Sequence, residues 1–174
     1  AEFTFSRKDP AYVNKAKEVL NYELFREKGN NPEEIEDLRL VYDSIRKIEG
    51  FENIKSQEIG IGSTIYANKP GDGSAREYAA SCQRILGAWA NIAKEYATKR
   101  YRSNLINWGI IPFLIEDKSL IKNDVFIFVP NIKTALLNKN DKIKAYVLDE
   151  KINEISLSIG PLTDKEIEIL VSGS

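Results

Sequence analysis

Residues 59–67, Ile-Gly-Ile-Gly-Ser-Thr-Ile-Tyr-Ala, carry no charge. They run directly into a turn-forming stretch, Asn68-Lys69-Pro70-Gly71-Asp72-Gly73-Ser74, and then into a segment of helical periodicity. An uncharged, β-prone run of this length reads as a strand buried on both faces. A strand that ends in a glycine-rich turn and feeds a helix is the repeating unit of α/β proteins. This arrangement commits the chain to a sheet with helices packed on it.

The rest of the chain agrees. Asp9-Pro10 reads as an N-cap and first helical position; Val13, Ala16, Leu20 and Leu24 recur at helical spacing, and Gly29 closes the segment. A second helix opens at Asn31, Pro32 and Glu34, close to a capping box. Its stripe is Ile35, Leu38, Val41, Tyr42, Ile45 and Ile48, and Gly50 ends it. The acidic run Glu33, Glu34, Glu36 and Asp37 falls where the helix dipole favours it. Residues 1–7, with Phe3 and Phe5 alternating, read as a short strand or a tail.

Beyond the glycine-rich turn, Tyr78, Ala79, Cys82, Ile85 and Leu86 share one face of the helix that Gly87 stops. Residues 88–92 read as a strand and 95–107 as a helix or loop-helix rich in Tyr and Arg. Residues 109–115 read as a strand whose Pro112 points to a sheet edge or a bulge. Residues 125–129 read as a strand and 131–137 as a short helix or turn. Ile143, Ala145 and Val147 alternate, as do Ile152, Ile155, Leu157 and Ile159, with Asp149-Glu150 as the turn of a hairpin. Thr163-x-x-Glu166 is a capping box for a last helix through Leu170. The expectation is one domain, residues 1–174, with a helical part at 1–50 and an α/β core at 51–174. Its fold class is α/β, a mixed β-sheet with flanking helices.

Composition narrows the chemistry. Twenty-five basic and 26 acidic residues leave a net charge of −1, so no global field marks a nucleic-acid or membrane-surface protein. The absence of His removes His triads, bases and metal ligands. One cysteine, Cys82, excludes an internal disulfide and any metal cluster held by this chain alone. It reads as core packing and points to a reducing, cytoplasmic compartment. The chain has no Met, no signal-like segment and no membrane span, and reads as a piece of a longer protein.

The chemistry concentrates in residues 71–76. Gly71 and Gly73 let backbone N–H groups approach a ligand, and the helix that follows offers unpaired donors. Ser74 adds a hydroxyl, and Arg76 a fork suited to carboxylate or phosphate. Spacing alone leaves an anion cradle and a plain tight turn both open. A phosphate-binding P-loop is excluded, because no Gly-Lys-Ser/Thr follows. A dinucleotide fingerprint is excluded by Arg76, which stands where a small residue is needed for helix–strand packing. A serine acts as a base only beside strong positive charge or an oxyanion hole.

The segment Gly71-Asp72-Gly73-Ser74-Ala75-Arg76-Glu77 resembles the Gly-x-Gly-Ser-Ser-Arg-Glu motif of the aconitase family's swivelling domain. Arg84-Ile85-Leu86-Gly87 and the tract Tyr101-Arg102-Ser103-Asn104-Leu105-Ile106-Asn107-Trp108-Gly109-Ile110-Ile111-Pro112-Phe113 extend the resemblance. Residues 162–170, followed by Gly173, are similar to the family's closing helix. The resemblance covers about residues 60–174 and implies a swivelling domain of the β/β/α type. It implies a hydro-lyase acting on a citrate- or isocitrate-like hydroxy acid. Its four-iron, four-sulfur (4Fe-4S) cluster is bound by cysteines of other domains or of a large subunit, and none by this chain.

By position, Ser74 is the catalytic base and Arg76 the carboxylate clamp, with Gly73 and Ala75 also lining the substrate. Ala75 replaces the motif's second Ser, and Tyr78 stands where the family usually has His, which points to a divergent hydratase. The family's Asp-rich strand and a further substrate arginine are not found before Phe3. That favours a domain of a single-chain enzyme over a complete isopropylmalate-isomerase small subunit.

A non-catalytic anion- or RNA-binding module is the remaining alternative. Lys94, Lys99, Arg100 and Arg102 with Tyr96 and Tyr101 form a basic–aromatic cluster that reads rather as a solvated face or interdomain contact. Asn104 and Trp108 read as structural. Gly60 and Gly62 read as permitting close packing of the strand on its neighbours.

Overall fold

A computed structural model describes residues 10–172. Residues 1–7, Asp9 and Gly173, singled out above, lie outside the described residues. Helix α1 spans Pro10–Glu27. Val13 and Ala16 are buried as their spacing predicts, but Leu24 is 42% exposed and Glu23 takes the inward position instead. Burying a carboxylate is costly unless it is paired and hydrogen-bonded. Glu23 is both: it pairs with Arg26 and accepts the Ile61 N–H at 2.5 Å. Arg26 Nη1 then donates to the Gln57 carbonyl at 2.7 Å. This ion pair ties α1 to the segment leading into the sheet, and hydrophobic periodicity alone does not register it.

The second helical segment is broken. Asn31 caps only a 3₁₀ turn, Pro32–Glu34, by accepting the Glu33 N–H at 3.0 Å. Ile35 is then extended (ψ 116°), and α2 runs from Glu36 to Arg46. The Ser56 hydroxyl also reaches the Asn31 side chain, at 3.3 Å, and Glu33 reaches across to Arg46 at the far end of α2. These partners hold the turn apart from the helix. Leu38, Tyr42, Ile45 and Ile48 are buried as the stripe predicts.

Six strands form one sheet in the order β1-β2-β3-β6-β5-β4. They are β1 Ser63–Ala67, β2 Ala88–Ala93, β3 Ile111–Leu114, β4 Phe126–Phe128, β5 Lys142–Leu148 and β6 Ile152–Ser158. The first three are parallel, joined by crossovers through α3 (Arg76–Ile85) and α4 (Lys99–Asn107). The last three pair antiparallel, with β6 meeting β3 at Leu114 and Ser158. The sheet is mixed and flanked by helices. Leu38, Tyr42, Ile45 and Ile48 of the α2 region pack with Phe128 and Leu148. Ile143 and Ala145, on the opposite face of β5, pack with Leu157, Phe113 and Ile106. Ile167 and Leu170 of α6 (Asp164–Val171) join that same cluster, near α5 (Ile132–Leu137). Thr163 and Glu166 form both halves of the capping box.

Three expectations change. The strand expected at 59–67 is only Ser63–Ala67, and it is an edge strand, half-buried rather than covered on both faces. Gly60 and Gly62 permit the close packing expected of them: a Cβ on either would lie 2.3 or 2.6 Å from the indole of Trp89, from the neighbouring strand β2, which packs across them. Pro112 is not at an edge; it is fully buried in β3, between β2 and β6. The Ile115 N–H donates to Ala93 of β2, so by alternation position 112 faces the β6 side. There the ladder is a single pair at Leu114, and the missing proline donor costs no bond. On α3, Tyr78 and Ile85 are exposed (56% and 65%), while Ala80, Cys82, Gln83 and Leu86 turn inward.

Candidate functional site

Parallel strands place their crossover loops at the same sheet edge. The loop 68–75 leaves the C-terminal end of β1, and the connector 94–98 leaves that of β2. They lie side by side. The Glu95 N–H donates to the Asn68 carbonyl at 3.1 Å and the Ala97 N–H to the Pro70 carbonyl at 2.9 Å. Lys69 and Glu95 pair at 3.3 Å. Gly71 sits at φ +99° against Tyr101, where a Cβ would come within 2.5 Å of the Tyr101 Cβ. Only glycine satisfies both conditions.

The second half of the loop is open. Asp72, Gly73, Ser74 and Ala75 are exposed. Nothing lies within 4 Å of a Cβ placed on Gly73, so this glycine is not required by packing. Ser74 makes no hydrogen bond among the described residues, and Ala75, the N-cap of α3, supplies no side-chain cap. The first N–H groups of α3 thus face outward beside a free hydroxyl, an arrangement that favours an anion. Arg76 is half-buried. Its Nε donates to the Gly71 carbonyl at 3.0 Å, and its terminal nitrogens take no partner among the described residues. The predicted Gly73, Ser74, Ala75 and Arg76 therefore share one exposed turn at the head of α3.

Beneath this turn lies a polar network that the sequence reading did not single out. Gln83 of α3 donates to the Tyr101 hydroxyl at 2.7 Å, and Asn91 of β2 donates to Gln83 Oε1 at 2.9 Å. The Tyr96 hydroxyl reaches Asn91 Oδ1 at 3.2 Å and the Phe113 carbonyl at 3.0 Å. Burial pushes the Tyr96 phenol well up from its ordinary value and also raises that of Tyr101, so both stay protonated. The one sequence signal for this network was Gln83 and Asn91 standing at positions otherwise apolar.

The same network dismantles the basic–aromatic cluster. Tyr101 is buried and Tyr96 is bonded into the interior, while Lys94, Lys99 and Arg100 are exposed. Arg102 is spent on the Gly160 and Pro161 carbonyls, each at 3.0 Å. Cys82 is buried, and Asn104 takes the Trp108 N–H at 3.2 Å through its carbonyl. Among the described residues no three His, Cys, Asp or Glu side chains are placed to share a metal ion, and no helix is long and apolar enough to cross a membrane.

A family model described as the aconitase C-terminal domain matches residues 30–118, which includes α2, the 71–76 turn and the three parallel strands. The chain belongs to this family. The match begins earlier than the resemblance drawn from motifs, so α2 lies within the family region, while the β5–β6 hairpin and α6 lie beyond the matched residues. Two curated relatives are similar to this aconitase-family chain. Aconitate hydratase A of Rickettsia bellii is 30% identical over 124 residues, covering 66% of this chain and 14% of the relative. The homoaconitase small subunit of Thermus thermophilus is 45% identical over 53 residues, covering 30% of this chain and 32% of the relative. The matches thus span a minor part of either relative's length.

Proposed function

We propose that this chain is the swivelling domain of an aconitase-family hydro-lyase and that its 71–76 turn covers a small hydroxy-acid substrate. In this reading Ser74 takes the proton from carbon, and Arg76 grips a carboxylate with its two terminal nitrogens. Gly73 and Ala75 bring the backbone close. The observation that carries the reading is the open half of the turn, with an unbonded serine and an unengaged guanidinium fork at an uncapped helix N-terminus. The N–H groups and the cation favour a transient alkoxide at Ser74 and hold the substrate's negative charge.

The family's 4Fe-4S cluster does not fit this chain's donors: the sequence has no His, and Cys82 is buried and alone. The cluster, with the Lewis-acid chemistry it supplies, belongs in this reading to other domains of the polypeptide, in a reducing cytoplasmic setting. A second reading, in which the chain is a separate small subunit beside a large one, is favoured by its similarity to the homoaconitase small subunit. Ser74 and Arg76 play the same parts in both. An RNA-binding module finds no support, because Tyr96 and Tyr101 face inward and offer no ring to a base.

The test is kinetic, in the complete enzyme. Ser74→Ala is expected to lower kcat by about 10²–10⁴-fold with little change in KM, as for loss of a base that acts only in the transition state. Arg76→Lys keeps charge but loses the fork, so KM rises and kcat falls. Turnover near wild type in Ser74→Ala would show that Ser74 is not the base.

A further inference from the structure

The Gly71 carbonyl is held from two sides. Arg76 Nε donates to it at 3.0 Å, and the Thr98 hydroxyl approaches it at 3.4 Å. Thr98 is also the N-cap of α4, its oxygen accepting the Tyr101 N–H at 3.1 Å. Directly behind Gly71 stands the Tyr101 ring, pinned through Gln83 and Asn91 to β2.

We propose that Thr98 is a positioning residue for Arg76, acting through the Gly71 carbonyl. A guanidinium is planar, so fixing its Nε–H on a carbonyl fixes the direction in which the two terminal nitrogens point. That direction is only as rigid as the carbonyl. With Thr98 as the second donor, and Tyr101 blocking the space behind, the carbonyl cannot turn with the arginine. Without that hydroxyl, carbonyl and guanidinium are free to rotate together, and the fork must be ordered when a carboxylate arrives. Pre-ordering of this kind strengthens binding by removing a cost from the association step. The inference deepens the proposed function and rests on its reading of Arg76 as the carboxylate clamp.

The experiment is NMR on this chain with citrate as probe, comparing wild type, Thr98→Val, Thr98→Ser and Thr163→Val. Thr163 caps α6 in the same way but touches nothing near the turn, so its variant matches the lost cap without the lost positioning. Thr98→Val is expected to speed exchange of the Arg76 Nε–H by about tenfold and to weaken the citrate-induced shifts at residues 73–76 by about three- to tenfold, the range of one hydrogen bond. Thr98→Ser restores both, and Thr163→Val lowers Tm while changing neither. Thr98→Val behaving at Arg76 as Thr163→Val does would overturn the proposal. Should wild type show no citrate shifts while the Nε–H still responds to Thr98, the clamp reading fails and the positioning role stands.

Discussion

The two ends of the sheet solve different problems. In β4, β5 and β6 the chain folds back on itself, from β4 to β5 by way of α5 and from β5 to β6 through a short turn, and side chains alternate cleanly: Ile143 and Ala145 to one face, Tyr146 and Leu148 to the other. Among the described residues no buried polar side chain stands between 126 and 158. In β1, β2 and β3 every connection is a crossover, and both crossover loops open at one edge. There the apolar interior also encloses a polar network, built on Gln83 and Asn91. Antiparallel pairing lets the chain make core cheaply; parallel pairing gathers loops at one place and needs an internal scaffold to hold them. The candidate site is a consequence of that second plan.

The two halves separate most visibly under truncation. Leu157 is fully buried in the apolar half, and Leu157→Ala is expected to cost about 4 kcal/mol in urea unfolding, within the usual range for a leucine cavity. Amide shifts at residues 71–76 should barely move. Asn91→Leu keeps the number and branching of side-chain heavy atoms but leaves Gln83 Oε1 without its donor, at a cost of about 2 kcal/mol. Here the 71–76 shifts should move, because Gln83 carries Tyr101 and Tyr101 backs Gly71. A Leu157→Ala variant that disturbs the turn as much as Asn91→Leu would erase the distinction between the halves.

Legibility followed the same division. The hairpin and the last helix stand where alternation and the Thr163–Glu166 box put them, because in an antiparallel pair with apolar faces local pattern and burial coincide. In the parallel half the elements were legible and their environments were not. Residues 59–62 look like strand, yet their glycines exist to admit Trp89 from β2, a contact distant in sequence. Pro112 looks like an edge, yet a one-pair junction with β6 lets it sit centrally. The 71–76 turn stood out by its glycines and Ser74-Ala75-Arg76. Thr98, Gln83 and Asn91 did not, since their meaning arises only when two crossovers meet.

A smaller effect belongs to α2, which covers the apolar half. The Arg46 guanidinium beside Glu33 holds the Glu33 carboxyl below its ordinary value of 4.5. A lowered carboxylate contributes stability that is full above the unfolded value and is lost as pH falls through the folded one. Stability should therefore drop below about pH 4.5, by less than about 1 kcal/mol from this pair, since both groups are partly exposed and screened. Urea midpoints between about pH 3 and 6 should fall less steeply in Glu33→Gln than in wild type. Equal slopes would remove the pair from the account of how α2 is held on the sheet.

The smallest expected effect says most about the turn. Ser74 is exposed, forms no hydrogen bond among the described residues and precedes the N-cap Ala75 by one position. Ser74→Ala should therefore change unfolding free energy by no more than about 0.5 kcal/mol, as for surface substitutions that break nothing. Helix propensity is not engaged, since α3 begins at Arg76. A loss of about 1 kcal/mol or more would mean that the hydroxyl caps α3 in solution. Ser74 would then belong to the anchored part of the turn, with its oxygen already committed to a backbone N–H and poorly placed to accept a proton from carbon. A neutral result leaves the hydroxyl uncommitted, which is the condition that its proposed role as a base requires.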